Sequence, residues 1–439
     1  MSRRLKISLL GVVAVSLVFV AACTTSSTVG EPTTPVGNTG VGNTGTSGTG
    51  TLDLPLIRWY GGPAYWDQFP VAKAAGWANP KFFPIVIWFD SVSSDAEVQD
   101  DESYGINTYI GEPTSVNYYN FADENAYVLT TLGNTPPGGK AQPGDFLADE
   151  PDSGATSADD LAIAHRLEAA SPKDGRFKEI NFSSNVLSNS LPAVNKANFE
   201  ALVDSYAGPV SADKYYYTQP SCFDAKYLIA HIDQAHCRTS SSYGATVRAM
   251  IARVEGGGVS KPVWNFVEDL YGGPATDHQP YITPGQLEGA VMDSIINGAS
   301  GILYFNQAFA GPCAGGNIIR QVQTGALPCG QSQLDAMRQV DQRIKTLAPV
   351  LNTQSYQYTF GSDLDTMLKA YQGSAYIFAM ISGAAASEPG ERTFTLPPAL
   401  AGATSVEVLN ENRTIPVVDG HFTDNFPYEY TYHIYKVKM

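Results

Sequence analysis

Gly144-Asp145-Phe146-Leu147-Ala148-Asp149-Glu150-Pro151 is an apolar run that ends abruptly in two acids and a proline. A proline cannot donate to a sheet ladder, so the run reads as a short buried strand with the carboxylates of Asp149 and Glu150 at its lip. Two carboxylates held near a core are costly unless they are paired or used. In a parallel barrel, the C-terminal lip of a strand is where chemistry sits. The reading therefore turns on whether the other strands exist, and whether another of them ends in a carboxylate.

Working outward, apolar runs recur at residues 82–90, 105–112, 126–130, 145–150, 178–183, 214–219, 262–268 and 301–306. Between several of them lie helix-like segments. Ser157–Ala170 opens on an N-cap signal, 243–254 keeps helical spacing, and 283–297 begins Thr283-Pro284, a cap followed by proline at the first helical position. Eight strands alternating with helices predict a (β/α)8 TIM barrel over residues 52–350, and no GxGxxG follows the first strand to support a Rossmann sheet. From about residue 351 the texture changes to short runs at 357–360, 366–371, 375–380, 392–396, 405–409 and 428–437, separated by Gly, Pro, Ser and Asn. That pattern predicts a small C-terminal antiparallel β-sandwich over 351–439, with 332–348 as the last barrel helix.

The N-terminus reads as a targeting segment. Basic residues 2–6 precede an apolar run at 7–20 that is short for a membrane span, and Ala21-Ala22-Cys23 follows. This end resembles the lipobox of bacterial lipoproteins, which implies a signal peptide over 1–22, cleavage before Cys23 and lipidation of its thiol. The tract at 23–51 has little apolar content to bury and reads as a flexible tether. The expected location is the bacterial cell envelope, on the outer face of a membrane and held only by the lipid, or secreted. Four cysteines remain, Cys222, Cys237, Cys313 and Cys329, an even number that suits an oxidising compartment. The economical pairing is Cys222–Cys237 and Cys313–Cys329. No CxxC or HxxxH spacing points to a metal, although His231 and His236 lie near the first pair.

Composition narrows the partner. A formal charge of −16 with no Lys/Arg block in the body argues against nucleic acid, whose binding needs cationic contacts to phosphate. Abundant Tyr, Trp, Asn and Gln suit a neutral glycan. No histidine sits in a GxSxG-like setting and no P-loop is present, so a Ser-His-Asp hydrolase and a nucleotide site are unsupported. No cofactor is called for, and the oligomeric state is left open.

On this strand count Glu150 ends the fourth strand and Glu268 the seventh. The clan of retaining (β/α)8 glycoside hydrolases places its acid/base Glu and its nucleophile Glu at those two positions. This chain resembles that clan from about residue 55 to the C-terminus. FFPIVIWFDS (82–91), GINTYIG (105–111), ADEP (148–151), VWNFVE (263–268) and NGASGILYFNQ (297–307) are similar to pieces of bacterial glycosidase-like barrels with a C-terminal sandwich. The resemblance implies Glu150 as acid/base and Glu268 as nucleophile, and it assigns no family within the clan. The chemistry needs both: one group protonates the leaving oxygen and the other attacks the anomeric carbon, from about 5–5.5 Å away in retaining enzymes.

There is one departure. The clan commonly has Asn before the acid/base, and here the residue is Asp149. An Asp-Glu pair also resembles substrate-assisted hexosaminidases, whose Asp orients the substrate's own acetamido nucleophile. A glycan-binding surface protein without catalysis is the alternative from another class. Asp152 reads as a helix cap or ion-pair partner, and one of the neighbours Glu268 and Asp269 as a solvated loop acid. Rim positions that would hydrogen-bond sugar hydroxyls are Asp90, Glu112, Asn134, Asn185, Gln219 and Asn306. Trp88, Tyr217, Trp264 and Tyr271 are the aromatic candidates for stacking on a sugar ring.

Overall fold

The computed structural model describes residues 51–90, 92–110, 126–131, 139–153, 157–188, 192–219, 222, 237–271, 281–383 and 388–439. The expectations for Cys23, Glu112, Asn134, His231 and His236 fall outside the described residues. Eight parallel strands close on themselves: β1 (Ile85–Trp88), β2 (Thr108–Ile110), β3 (Tyr127–Thr131), β4 (Gly144–Asp149), β5 (Phe177–Phe182), β6 (Val210–Ala212), β7 (Val263–Glu268) and β8 (Gly301–Phe305). Closure is explicit in the pairing, because β1 bonds to β2 on one side and to β8 on the other. The predicted barrel is thus the observed one, with one displaced strand. The sixth is not the Tyr-rich run 214–219 but the three residues before it, which places Asp213 at its lip.

The lumen is packed, as alternation along each strand requires. Val86 and Trp88 of β1, Ile110, Leu129, Phe146, Phe177, Trp264 and Phe266 of β7, and Leu303 and Phe305 of β8 form one buried cluster, floored by Trp66 and Trp77. Trp264 is fully buried near Phe177 and Trp77, at the base of the barrel, so it is a core residue and not a sugar platform. The same period of two continues 264, 266, 268 and turns the Glu268 carboxyl inward. In β4 the register shifts at a bulge between Phe146 and Ala148. One extra residue reverses the alternation, so Ala148 packs outward against the helices and Asp149 pairs with Asn181 of β5.

The helices that cover the barrel obey their sequence signals. Ser157–Ala170 is as predicted, and Pro284–Ile296 carries a complete capping box between Thr283 and Gln286. Ser240–Gly256 starts three residues before the predicted 243. After helix Gln331–Leu351, a six-stranded antiparallel sheet runs in the order Ser355–Tyr356, Leu364–Tyr371, Ser374–Ile381, Tyr432–Lys438, Ser405–Val408, Arg413–Pro416. Gly390–Thr395 pairs with His421–Phe426 in a second sheet. The two meet through Phe394 and Phe422, stacked at 4.6 Å, with the edge of Tyr435 against both.

One loop of these sheets reaches back to the barrel. Glu429 accepts from the Tyr217 hydroxyl at 2.8 Å and from the Ser240 N–H at 2.9 Å, at the start of helix Ser240–Gly256. Tyr217 is therefore buried at this junction, away from any sugar-binding rim. If Trp264 is a core residue, Trp264→Ala lowers unfolding free energy by about 3–5 kcal/mol in a denaturant titration. A loss below about 1 kcal/mol would contradict the packing described.

Candidate active site

At the C-terminal lip of the strands a cavity of ≈ 430 Å³ opens, lined by Trp88, Phe89, Asp149, Glu150, Ser183, Ser184, Asp213, Tyr215, Gln219, Tyr271, Phe305, Gln307 and Phe309. Its walls are aromatic and its charged groups are carboxylates; no Lys or Arg is among these residues. A second cavity of ≈ 350 Å³ lies at the opposite end, before β1, β7 and β8, and carries Arg58, Lys261 and Lys369. Its one carboxylate, Glu255, is within ion-pair distance of Arg58, so the two-carboxylate chemistry belongs to the first cavity.

Backbone strain collects at the same lip. Phe89, Glu150 and Tyr271, which follow β1, β4 and β7, have φ of 53°, 42° and 59°. Among the described residues the other positive-φ non-glycine residues are Asn, Asp and Gln. Holding a bulky residue in the left-handed region costs of order 1–3 kcal/mol and persists only where the surroundings over-determine it. For Glu150 they do: its N–H donates to the Asn181 carbonyl at 2.8 Å, and its carbonyl accepts from Ser153 N–H at 3.0 Å and Ser153 Oγ at 2.9 Å.

The acids differ in their support. Asp149 accepts from Asn181 Nδ2 at 2.9 Å; desolvation raises its carboxyl, with that amide opposing. Asp213 is pushed well above the usual carboxylate range by burial, then by the charge of Glu150 and a side-chain hydrogen bond to it, and by Asp149 and Asp152. Glu268 is wholly buried, with Oε1 accepting from Thr218 Oγ1 at 3.1 Å and Oε2 from the Tyr243 hydroxyl at 2.6 Å. Burial raises it in spite of those donors. It does not line the open cavity. Its charge, with those of Asp213 and Glu150, nevertheless acts on Tyr215 and Tyr271, which do.

Several expected site residues stand elsewhere. Asp90 is buried with Oδ2 at 3.9 Å from Arg320. Asn306 is buried too, its Oδ1 accepting from Ile319 N–H and its Nδ2 donating to Asn317, so it shapes the segment after β8. Asn185 donates to the Asp152 carbonyl. Asp152 accepts from the N–H groups of Ser183 and Val186 and ties down the β5 lip, with burial raising it to about 6. Asp269 is not solvated but fully buried, pushed up to about 7 by desolvation. Trp88, Gln219 and Tyr271 do line the cavity with Asp149 and Glu150.

The sequence reading passed over Asp213, Tyr215, Phe89, Phe305 and Phe309. It also passed over Glu179 of β5, buried in the lumen, accepting from Ser211 Oγ at 2.7 Å and raised to about 8 by burial. Cys222 pairs with Cys237 and Cys313 with Cys329, as expected; the latter sits in a small cluster with Leu270, Ala308 and Ile318 after β8. Among the described residues no group of His, Cys, Asp and Glu forms a metal site.

No family model and no curated protein matches the chain. Solved structures with a similar backbone course include several glycoside hydrolases. They include a GH30 endoxylanase from Clostridium papyrosolvens C71, with 11% identity over 81% of this chain and 97% of that one and a TM-score of 0.39. An α-amylase from Geobacillus thermoleovorans complexed with acarbose has 9% identity over 81% and 98%, with a TM-score of 0.42. A family 51 α-L-arabinofuranosidase from Bifidobacterium longum has 9% identity over 82% and 95%, with a TM-score of 0.46. At that distance the likeness carries no argument, and the fold and the site are read from this chain's own residues.

A raised carboxyl pKa in the folded state favours the low-pH form: stability is full below the unfolded value and falls as pH climbs to the folded one. For Glu179 that window runs from about 4.5 to about 8. Glu179→Gln removes this slope, so its stability relative to the native chain rises across the window and levels off above it. Thermal melts at a series of pH values check this, and a constant difference would show that Glu179 is not held protonated.

Proposed function

We propose that the protein is a glycoside hydrolase working by double displacement, with Glu150 as acid/base and Glu268 as nucleophile. The observation that carries the reading is one aromatic cavity at the barrel lip, walled by Tyr215 and Tyr271, that Asp149 and Glu150 line from the end of β4 and Asp213 from the end of β6. Sugar rings present apolar faces for such walls and hydroxyls for such acids. The absence of Lys and Arg from the lining selects against anionic sugars and fits a neutral glycan.

In the first step the carboxylate of Glu268 attacks the anomeric carbon as the glycosidic bond breaks, and the leaving oxygen takes its proton from Glu150. Water, deprotonated at Glu150, then releases the sugar from Glu268. Because Glu268 is wholly buried, the side chains around it must move before a sugar can reach it. Burial also supplies a nucleophile stripped of water, aimed by Tyr243 and Thr218.

A second reading is favoured by one feature: Asp149, held by Asn181, lies beside Glu150 in the open cavity while Glu268 does not. In it Asp149 orients a substrate acetamido group that attacks the anomeric carbon itself. For location we propose a lipid tether at Cys23 to the outer face of a bacterial membrane; mass spectrometry of the mature N-terminus should show a diacylglyceryl cysteine, and a start at any other residue removes the proposal.

The test is a screen of aryl glycosides with NMR detection of the first-formed anomer. Retention is expected, with Glu150→Gln and Glu268→Gln each lowering kcat by about 10²–10⁴. Loss only in Glu150→Gln and Asp149→Asn, confined to N-acetyl substrates, would transfer the reading to substrate assistance. Glycan binding without turnover by the native chain would leave a binding protein.

A further inference from the structure

We propose that Glu179, in the lumen below the rim, is a positioning residue: through Ser211 and Asn181 it holds the Asp149 carboxylate in the cavity as an acceptor for a sugar hydroxyl or amide N–H. The inference rests on reading that cavity as a sugar site, and it gives the buried acid of β5 a task that the two-carboxylate scheme does not contain. The first support is the ladder. Asp149 stands opposite Asn181 and Asn181 opposite Ser211, so β4, β5 and β6 bring three polar residues side by side at one level. Glu179 lies two residues below Asn181 on the same face of β5. The bulge in β4 is what puts Asp149 on that row.

The second support is the bonding along the row. Asn181 Nδ2 donates to Asp149 Oδ1 at 2.9 Å, and Ser211 Oγ lies 3.1 Å from Asn181 Oδ1 and 2.7 Å from Glu179 Oε1. Ser211 has one proton for those two acceptors. A Glu179 carboxylate would claim it, leaving Asn181 Oδ1 without that donor. The charge would also rest on Glu179 Oε2, which is buried with no hydrogen-bond partner among the described residues. As an acid, Glu179 donates to Ser211 Oγ, Ser211 donates to Asn181 Oδ1, and the amide turns its N–H groups to Asp149. All donors then run one way, towards the cavity.

The surroundings keep Glu179 in that form. On the ladder it stands opposite Phe146, and Ser211 stands opposite Trp264, so the level is apolar. Titratable groups facing it are Asp149 from the β4 lip and Tyr206 from the segment before β6, whose ring carries Lys261 Nζ at 3.3 Å. Burial raises Glu179 to about 8, with Ser211 opposing and the charge of Asp149 adding to it. The proton, and with it the direction of the row, is present through the neutral range and lost as pH climbs past about 8. Ser211 then turns to Glu179, and the Asn181 amide is no longer held to Asp149.

The first experiment needs no turnover. In native protein labelled with ¹³C at the Asp and Glu carboxyls and ¹⁵N at the Asn amides, Glu179 should titrate at about pH 8. The Asp149 carboxyl and the Asn181 side-chain amide should each show an inflection at that same pH. Glu179→Gln, whose amide still donates to Ser211, should remove the inflection and leave Asn181 where it is. Ser211→Ala should raise the Asp149 midpoint by about half a pH unit or more, because the amide no longer favours the anion. On an aryl glycoside that the native chain turns over, Ser211→Ala should raise KM about fivefold or more, and Ser211→Thr, which keeps the hydroxyl, should bring it back. A Glu179 that titrates near 4.5, an Asp149 signal blind to it, or an inflection that survives in Glu179→Gln would overturn the proposal. So would an unmoved KM in Ser211→Ala. The expected titrations in a chain that hydrolyses no glycoside would sink the enzyme reading and keep the row of bonds. Turnover with a silent Asn181 would do the reverse.

Discussion

Closure of the parallel ladder is the constraint on which everything else depends. Because β1 must bond both β2 and β8, the eight strands share one stagger, and their last residues are brought to one rim whatever their chemistry. The lumen then admits only what the alternation points inward. Below the rim these are aromatic and aliphatic side chains with Glu179 among them; at the rim they are Asp149, Asn181, Asp213 and Glu268. The change from oily to acidic within about one residue repeat of each strand sets the character of the site.

Those acids are expensive where they are. A carboxylate removed from water without a cation loses hydration that neighbouring hydroxyls replace only in part. The chain answers in two ways. Glu268 receives two hydroxyl donors, and Asp152 receives two backbone N–H groups. The left-handed backbone at Phe89, Glu150 and Tyr271 adds further cost at the same rim. Such local expense is tolerable because the barrel wall and helices around it are well packed, and it is concentrated where ligand contact can return it.

How much of this was legible in the sequence follows from what each signal measures. Apolar runs recurring at the spacing of βα units located seven strands, and the acid that closes the seventh run put Glu268 at its end. The sixth strand defeated that logic. Val210–Ala212 is three small residues after a Gly-Pro, whereas Tyr215, Tyr216 and Tyr217 look far more like a strand and are buried by tertiary contacts instead. Misplacing that strand hid Asp213. The bulge in β4 was equally silent, since a residue count cannot tell an inserted residue from a regular one. Trp264 and Tyr217 were misjudged because an aromatic side chain reads the same whether it will meet a sugar or a neighbour.

The contact of Glu429 with Tyr217 and Ser240 bears on how this chain can be rearranged. Tyr217 stacks on Tyr243 at 5.7 Å, and Tyr243 is the donor to Glu268. A loop of the C-terminal sheets is thus two aromatic rings away from Glu268. Modules that merely accompany a barrel can be exchanged by recombination at the connecting segment. This one cannot be traded so freely, because a replacement lacking an acid at that loop would leave the Tyr217 hydroxyl and the start of helix Ser240–Gly256 without their acceptor. The two parts are therefore bound to be inherited together.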